Sequence, residues 1–287
     1  MNKNILVIAL IVLLSVTALF LAYNIVKRVS SPEPKQEETG QRPEPKPLSS
    51  APGESEPEYL ASAENYVKRG DLLKGKEAYQ GLIEKYPGSN NAAKVQEAID
   101  NLNIAVLFSA IPTPDSVIYE VQKGDTLTKI SKKFATTAEL ISRANSLKDG
   151  KVMIGKKLKI SKARFSLIVD KSQNILTLKS DQEIFKTYRV STGKSSCTPV
   201  GTFKVTNKLI DPPWYPSAGG MIPAKDPKNV LGSRWIGISK QGYGIHGTLE
   251  PESIGKSVTE GCVRLKNTDV EELYSIIPIG TEVVIID

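Results

Sequence analysis

One histidine and two cysteines occur in 287 residues, and the histidine shares a single stretch with one cysteine: Tyr243 to Leu265, YGIHGTLEPESIGKSVTEGCVRL. A thiol and an imidazole are the parts needed for nucleophilic catalysis. A free thiol titrates near about 8.5, so little thiolate exists at neutral pH unless a neighbouring base or cation favours it. One imidazole is enough, because it can take the thiol proton and then return it to a leaving amine. Cys262 is therefore the candidate nucleophile, and His246, sixteen positions earlier, the candidate general base and acid. Gly261 lets backbone N–H groups approach a reacting carbonyl, so the amides around Gly261 and Cys262 are the candidate oxyanion site. Arg264 has the same side-chain parity as Cys262 in an extended segment, where its charge could lower the thiol pKa or hold a substrate carboxylate. Taken singly, His246 could be a satisfied structural histidine and Cys262 a small buried hydrophobe. Together in a glycine-rich motif they favour the catalytic reading.

Metal chemistry finds little support. There is no CxxC pair, and a zinc shell of Cys197, His246 and Cys262 would lack a fourth ligand, so neither metal nor other cofactor is expected. Cys197 reads as an incidental thiol rather than a redox switch, since a disulfide to Cys262 would block catalysis.

The net charge of +7 and the pI near 9.1 suit either nucleic acid or an anionic cell surface. The start of the chain decides between them. Ile5 to Val26 is a run of 22 uncharged residues, and a helix of that length rises about 33 Å, enough to cross a bilayer. Its length favours an uncleaved anchor over a signal peptide cut near Val16-Thr17-Ala18. Residues 1–28 are therefore expected to be a membrane anchor. Lys3 precedes the run and Lys27 and Arg28 follow it, so charge leaves the orientation open. Residues 29–57, rich in Pro, Glu and Ser, read as a disordered tether.

Helical periodicity follows over residues 58–110. Ala78, Tyr79, Leu82, Ile83 and Tyr86 share one face, Val95, Ile99 and Leu102 continue it, and Ser89 or Asn90 is the expected N-cap between them. The stretch resembles one tetratricopeptide-like helix pair. A lone repeat cannot bury its own face, so a cap, a neighbour or a protein partner is expected, in a segment that reads as a helical spacer rather than a dedicated peptide receptor. Ile111 to Ser116 is a short linker. Residues 117–161 then read strand, helix, helix, strand: Tyr119-Glu120-Val121 alternates, Leu127, Ile130 and Phe134 share a face, Thr137 caps a second helix ended by Asn145, and Leu158-Lys159-Ile160 closes. From Arg164 the runs RFSLIVD, NILTLKS, EIFKTYRVS, GTFKVTNKLI and TEVVIID predict short strands in a mostly antiparallel sandwich or barrel. A helix is expected through NTDVEELYSII, capped by Asn267 or Thr268 and stopped by Pro278.

Two resemblances sharpen this plan. The motif Y-x-V-x-x-G-D-T-L-x-x-I from Tyr119, with the later Phe, Leu, Asn, Gly and L-x-I in order, resembles the LysM module. That implies binding of N-acetylglucosamine-containing glycan strands. The module's eleven Lys or Arg against four Asp or Glu between residues 117 and 163 agree with attraction to an acidic wall. No base-reading motif appears, so nucleic acid is not an expected partner. STGKSSCTPVGTF, GIHGT and TEGCVRL, over residues 164–287, resemble the L,D-transpeptidase (YkuD-type) catalytic domain.

That second resemblance implies Cys262 as nucleophile, His246 as base, Gly261 and Cys262 at the oxyanion site, and Arg264 as the motif arginine. Trp214, Tyr243, Gly247 and Thr248 join Arg264 as candidate substrate-binding residues, whereas Trp235 reads as core. Many members carry His where this chain has Glu260, so no second imidazole assists. The implied reaction is attack on a peptidoglycan stem tetrapeptide, release of D-alanine, a thioester on Cys262, and 3→3 cross-linking by a second stem amine. Water as acceptor would make the same pair an L,D-carboxypeptidase. The resemblance further implies an extracytoplasmic catalytic domain and acylation of the thiol by carbapenems. A catalytically silent LysM adaptor is the competing reading. A sortase is not, because its TLxTC context is missing.

Overall fold

The computed structural model describes residues 55–216 and 219–287. The anchor expected at residues 1–28 and nearly all of the tether lie outside them. Among the described residues no helix is long and apolar enough to cross a membrane.

Three helices come first: α1 (Glu56–Lys68), α2 (Leu72–Lys85) and α3 (Ala92–Leu107). Ala63, Ala78, Tyr79, Leu82, Val95, Ile99 and Leu102 are buried together between them, as the 3.6-residue period requires. The cap of α3 is Asn91, not Ser89 or Asn90. Ser89 instead bonds α1, its hydroxyl donating to Glu56 Oε1 at 2.6 Å while accepting from the Asn91 N–H at 2.9 Å.

The partner of this helical segment includes the chain itself. Ile104 and Leu107 of α3 belong to the core of the C-terminal domain. Asn103 Nδ2 donates to the Phe185 carbonyl at 2.8 Å, and the Thr187 N–H donates to Asp100 Oδ2 at 2.9 Å. Phe185 and Thr187 lie on β5 (Glu183–Arg189), an end strand of the main sheet. Two helical side chains thus occupy backbone groups on an edge otherwise open to pairing with another chain.

Strand β1 (Ser116–Glu120) pairs antiparallel with β2 (Lys157–Ser161) around α4 (Leu127–Lys133) and α5 (Ala138–Ala144), giving the expected βααβ order. The first strand starts at Ser116, inside the expected linker, because it runs the full length of β2. Thr137 caps α5 by accepting from the Leu140 N–H at 2.9 Å. The same hydroxyl donates to the carbonyl of Ser275 in the C-terminal domain. Lys159, buried on β2, donates to the Val106 and Ser109 carbonyls at 2.8 and 2.9 Å, a cationic cap on the end of α3. Burial lowers its pKa to about 8. These bonds fasten the βααβ module to both neighbours.

The C-terminal domain corrects one expectation. Among the described residues its strands form no pair of facing sheets. They form one eight-stranded mixed sheet, built from β3 (Phe165–Asp170), β4 (Ile175–Ser180), β5, β7 (Gly201–Ile210), β8 (Arg234–Ile238), β9 (Gly244–His246), β11 (Val263–Arg264) and β12 (Glu282–Ile286). Their order is β11-β9-β8-β7-β12-β3-β4-β5. The last strand, β12, lies between β3 and β7, joining both halves of the domain. A short parallel pair, β6 (Thr192–Gly193) with β10 (Ser257–Thr259), stands apart. The large sheet curls until Ser191, just beyond β5, bridges Arg264 on β11: Ser191 N–H to Arg264 carbonyl is 2.8 Å and the reverse bond 2.9 Å. The sandwich reading fails and the barrel-like one fits. Helix α6 (Asn267–Ile276) covers one side, burying Val270, Leu273 and Ile276. Its cap position is Lys266; Asn267 has other work.

Candidate active site

Strand β9 ends in His246, and the register sets Trp235 of β8 opposite it on one side and Arg264 of β11 on the other. The Trp235 and His246 rings stack with centroids 6.1 Å apart. The imidazole is 3% exposed. Its Nδ1 lies 2.7 Å from the Gly247 carbonyl. A carbonyl only accepts, so the proton sits on Nδ1 and Nε2 keeps its lone pair. Sequence alone could not name this orienting group.

Burial acts on both partners in the same sense, against charge. It drives His246 down to about 4, with the Gly247 bond opposing and the Arg264 charge adding. It raises the Cys262 thiol, while a bond from the Gly244 backbone and the Arg264 charge pull the other way. Burial thus favours the neutral form of each, thiol for Cys262 and uncharged imidazole for His246.

The turn that presents Cys262 is built on Gly261, with φ at +120°. A Cβ there would sit 2.7 Å from the Tyr243 ring, so only glycine fits. Thr259 ties the turn, its hydroxyl donating to the Cys262 carbonyl at 2.6 Å and accepting from the Gly261 N–H at 3.2 Å. That second bond occupies the Gly261 amide. The Cys262 N–H becomes the candidate oxyanion donor in its place.

Cys262 lies where two cavities meet. One, of about 300 Å³, is walled by Leu209, Pro212, Pro213, Trp214 and Trp235. The other, of about 350 Å³, carries Lys194, His246, Thr259, Glu260 and Arg264. Trp214, Tyr215, Leu231 and Gly242 line both. Trp214, a candidate substrate-binding residue, thus lines the space on both sides of Cys262. Trp235 is not core; it forms a cavity wall, with its indole N–H on Asn207 Oδ1 at 3.0 Å.

Three of the remaining candidates stand behind the walls. Tyr243 backs Gly261, Gly247 supplies the carbonyl to His246, and Thr248 is buried. Arg264 lines the second cavity, but its guanidinium is 2.9 Å from Glu250 Oε2 and 3.0 Å from Ser253 Oγ. That pairing limits its use as a substrate clamp and suits it to shaping the wall. Cys197 is exposed, its sulfur 3.9 Å from the Thr259 carbonyl.

Asn267 was missed as a site residue because its place at a helix start reads as a cap. Its Oδ1 accepts from the Ser233 and Thr248 N–H groups at 3.0 and 3.1 Å, and its Nδ2 donates to the Thr248 carbonyl at 2.8 Å. A Cβ on Gly247 would overlap that oxygen. Asn267 thus fixes the turn whose carbonyl orients His246. Asn267→Ala strands these groups at about 1–3 kcal/mol per buried polar group. The expected result is a lower unfolding midpoint in urea and a turnover loss of about tenfold or more, since a displaced catalytic group reacts slowly.

The domain model for the L,D-transpeptidase catalytic domain matches residues 164–285, and that for the LysM domain matches residues 119–161. YkuD of Bacillus licheniformis, assigned to the L,D-transpeptidases, is 37% identical over 175 residues, 58% of this chain and 97% of that protein. The chain belongs to the L,D-transpeptidase family. YkuD of Bacillus subtilis, with the same assignment, is 34% identical over 58% of this chain and 97% of its own length. YqjB of Bacillus subtilis is 42% identical over 42% of this chain and 70% of its own length. In this L,D-transpeptidase the family domain carries Cys262, His246 and both cavities, and the LysM domain is bonded to it through Thr137.

Proposed function

We propose that this L,D-transpeptidase cross-links peptidoglycan stem peptides through a thioester on Cys262, with His246 moving the proton. The observation that carries the reading is the placement of Cys262 at the junction of two cavities, one walled by a histidine whose tautomer leaves Nε2 basic. The Cys262 sulfur attacks the carbonyl of the third stem residue as Nε2 of His246 takes the thiol proton. The oxyanion develops beside the Cys262 N–H. The C–N bond breaks, the imidazolium protonates the departing D-alanine, and the thioester remains. An amine of a second stem then attacks, His246 takes its proton, and the C–S bond breaks to return the thiol. Two cavities meeting at the sulfur suit a reaction with a donor and an acceptor.

The rest of the chain fits delivery. In this reading residues 1–28 anchor the protein, residues 29–57 give reach, and the LysM domain holds glycan strands, with the described residues on the extracytoplasmic side. Incubating the purified chain with disaccharide-tetrapeptides and weighing the products tests it. Dimers lighter by one D-alanine support cross-linking. Tripeptides alone mark a carboxypeptidase, and unchanged substrate marks a silent adaptor.

The neutral resting pair fixes a pH profile. The productive form holds one proton between sulfur and Nε2. As pH falls through about 4, His246 is protonated and cannot accept from the thiol. The upper limb falls only where the thiol itself ionises, above its usual range. Acylation is expected to stay flat between about pH 5 and 8, a window set by these two limits. A descending limb near about pH 6.5, the ordinary histidine value, would contradict a buried neutral imidazole.

A further inference from the structure

The nucleophile turn carries one more charge, and the thiol gains nothing from it. Glu260 is exposed on the wall that also holds Cys262 and His246. Among the described residues its carboxylate has no ion-pair partner. Its charge helps hold the thiol up, against the need of the first half-reaction. Lys194, in the short turn Lys194–Ser196, is also exposed on this cavity and also without a carboxylate partner among the described residues. The other charged pair there, Arg264 with Glu250, is closed at 2.9 Å. The cavity therefore offers a ligand one open acid and one open base. The apolar cavity on the other side of Cys262 offers neither.

We propose that Glu260 and Lys194 select the acyl acceptor, Glu260 receiving the ammonium and Lys194 the carboxylate of a zwitterionic amino-acid end. The inference rests on the thioester reading and extends it to the second substrate. A carboxylate in a partly enclosed cavity attracts an ammonium more strongly than it would in bulk water. Water and simple uncharged nucleophiles gain nothing from it. In the second half-reaction His246 is neutral again, having given its proton to the leaving amine. The held ammonium first gives one proton to solvent, the freed amine bonds the thioester carbonyl, His246 takes the second proton from that nitrogen, and the C–S bond breaks. The sulfur leaves with a proton returned through the imidazole. Glu260 and Lys194 touch the substrate without joining these bond changes, and the attraction weakens with salt.

The test uses the full chain, a tetrapeptide donor and two acceptors, D-methionine and D-methionine amide, which lacks the carboxylate. Glu260→Gln is expected to raise the acceptor KM about tenfold for both and to shift products toward hydrolysis. Acylation by donor alone should become faster, not slower, because the thiol loses a repelling neighbour. Glu260→Asp should restore part of the acceptor selectivity. Lys194→Gln should raise KM for D-methionine but not for its amide. The inference is overturned if Glu260→Gln leaves the transfer-to-hydrolysis ratio within about twofold of the parent, or if Lys194→Gln treats both acceptors alike. If the parent forms no acyl-enzyme at all, the thioester reading fails first, and the two failures are told apart by mass.

Discussion

Cys262→Ala is expected to stop D-alanine release and cross-link formation, a fall of about 10⁴-fold or more, the scale on which loss of a catalytic nucleophile is felt. No other group replaces the sulfur. The Thr259 hydroxyl is spent on the Cys262 carbonyl, and Cys197, exposed with its sulfur 3.9 Å from the Thr259 carbonyl, lines neither cavity. The fold should hardly notice. Cys262 is half-buried at a cavity junction, and Gly261 and Thr259, which set the turn, are untouched. An unchanged unfolding midpoint with abolished turnover is therefore the expected pair of results. Wall binding by the LysM domain should persist in the variant, which separates an enzyme from an adaptor. Retained turnover would contradict the account.

His246→Gln is expected to lower acylation by about 10²–10⁴-fold, the range for loss of a positioned general base. Glutamine can still place a donor near the Gly247 carbonyl and keep much of the stacking volume against Trp235. It cannot accept the thiol proton. The defect should therefore depend on pH where the parent does not. With no imidazole in the chain, attack needs thiol that has ionised unaided, and burial resists that. Variant rates should climb steadily with pH between about pH 5 and 8, where parent rates stay flat. A variant as fast as the parent, or one slowed equally at every pH, would argue that His246 only packs.

Much of this was legible before the structure. Thr137 as a cap, Asn145 as a stop, and the faces Leu127-Ile130 and Val95-Ile99-Leu102 are local features, set by periodicity and capping within a few residues. The choice of His246 and Cys262 as candidates comes from the scarcity of both residue types and from the motif around them, and the structure sets both on the wall of one cavity. What stayed hidden depends on residues far apart in sequence. The insertion of β12 between β3 and β7 joins the ends of one domain, and a list of strands cannot show it. Trp235 reads as core within RWIGI, yet beside its strand partner Leu209 it lines a cavity whose other walls, Pro212 and Pro213, come from a segment the strand pattern does not reveal. Asn267 looked like a helix cap, and only the folded turn at Gly247 reveals its target. The Gly261 amide seemed available until Thr259, two residues away, was seen to hold it.

Intact-mass measurement of the chain after exposure to a carbapenem tests the claim most directly. The account predicts a mass increase of one inhibitor, located by peptide mapping on Cys262, absent in Cys262→Ala and slowed in His246→Gln. A chain with free thiol that stays at its starting mass, or an adduct that survives the loss of Cys262, would contradict it.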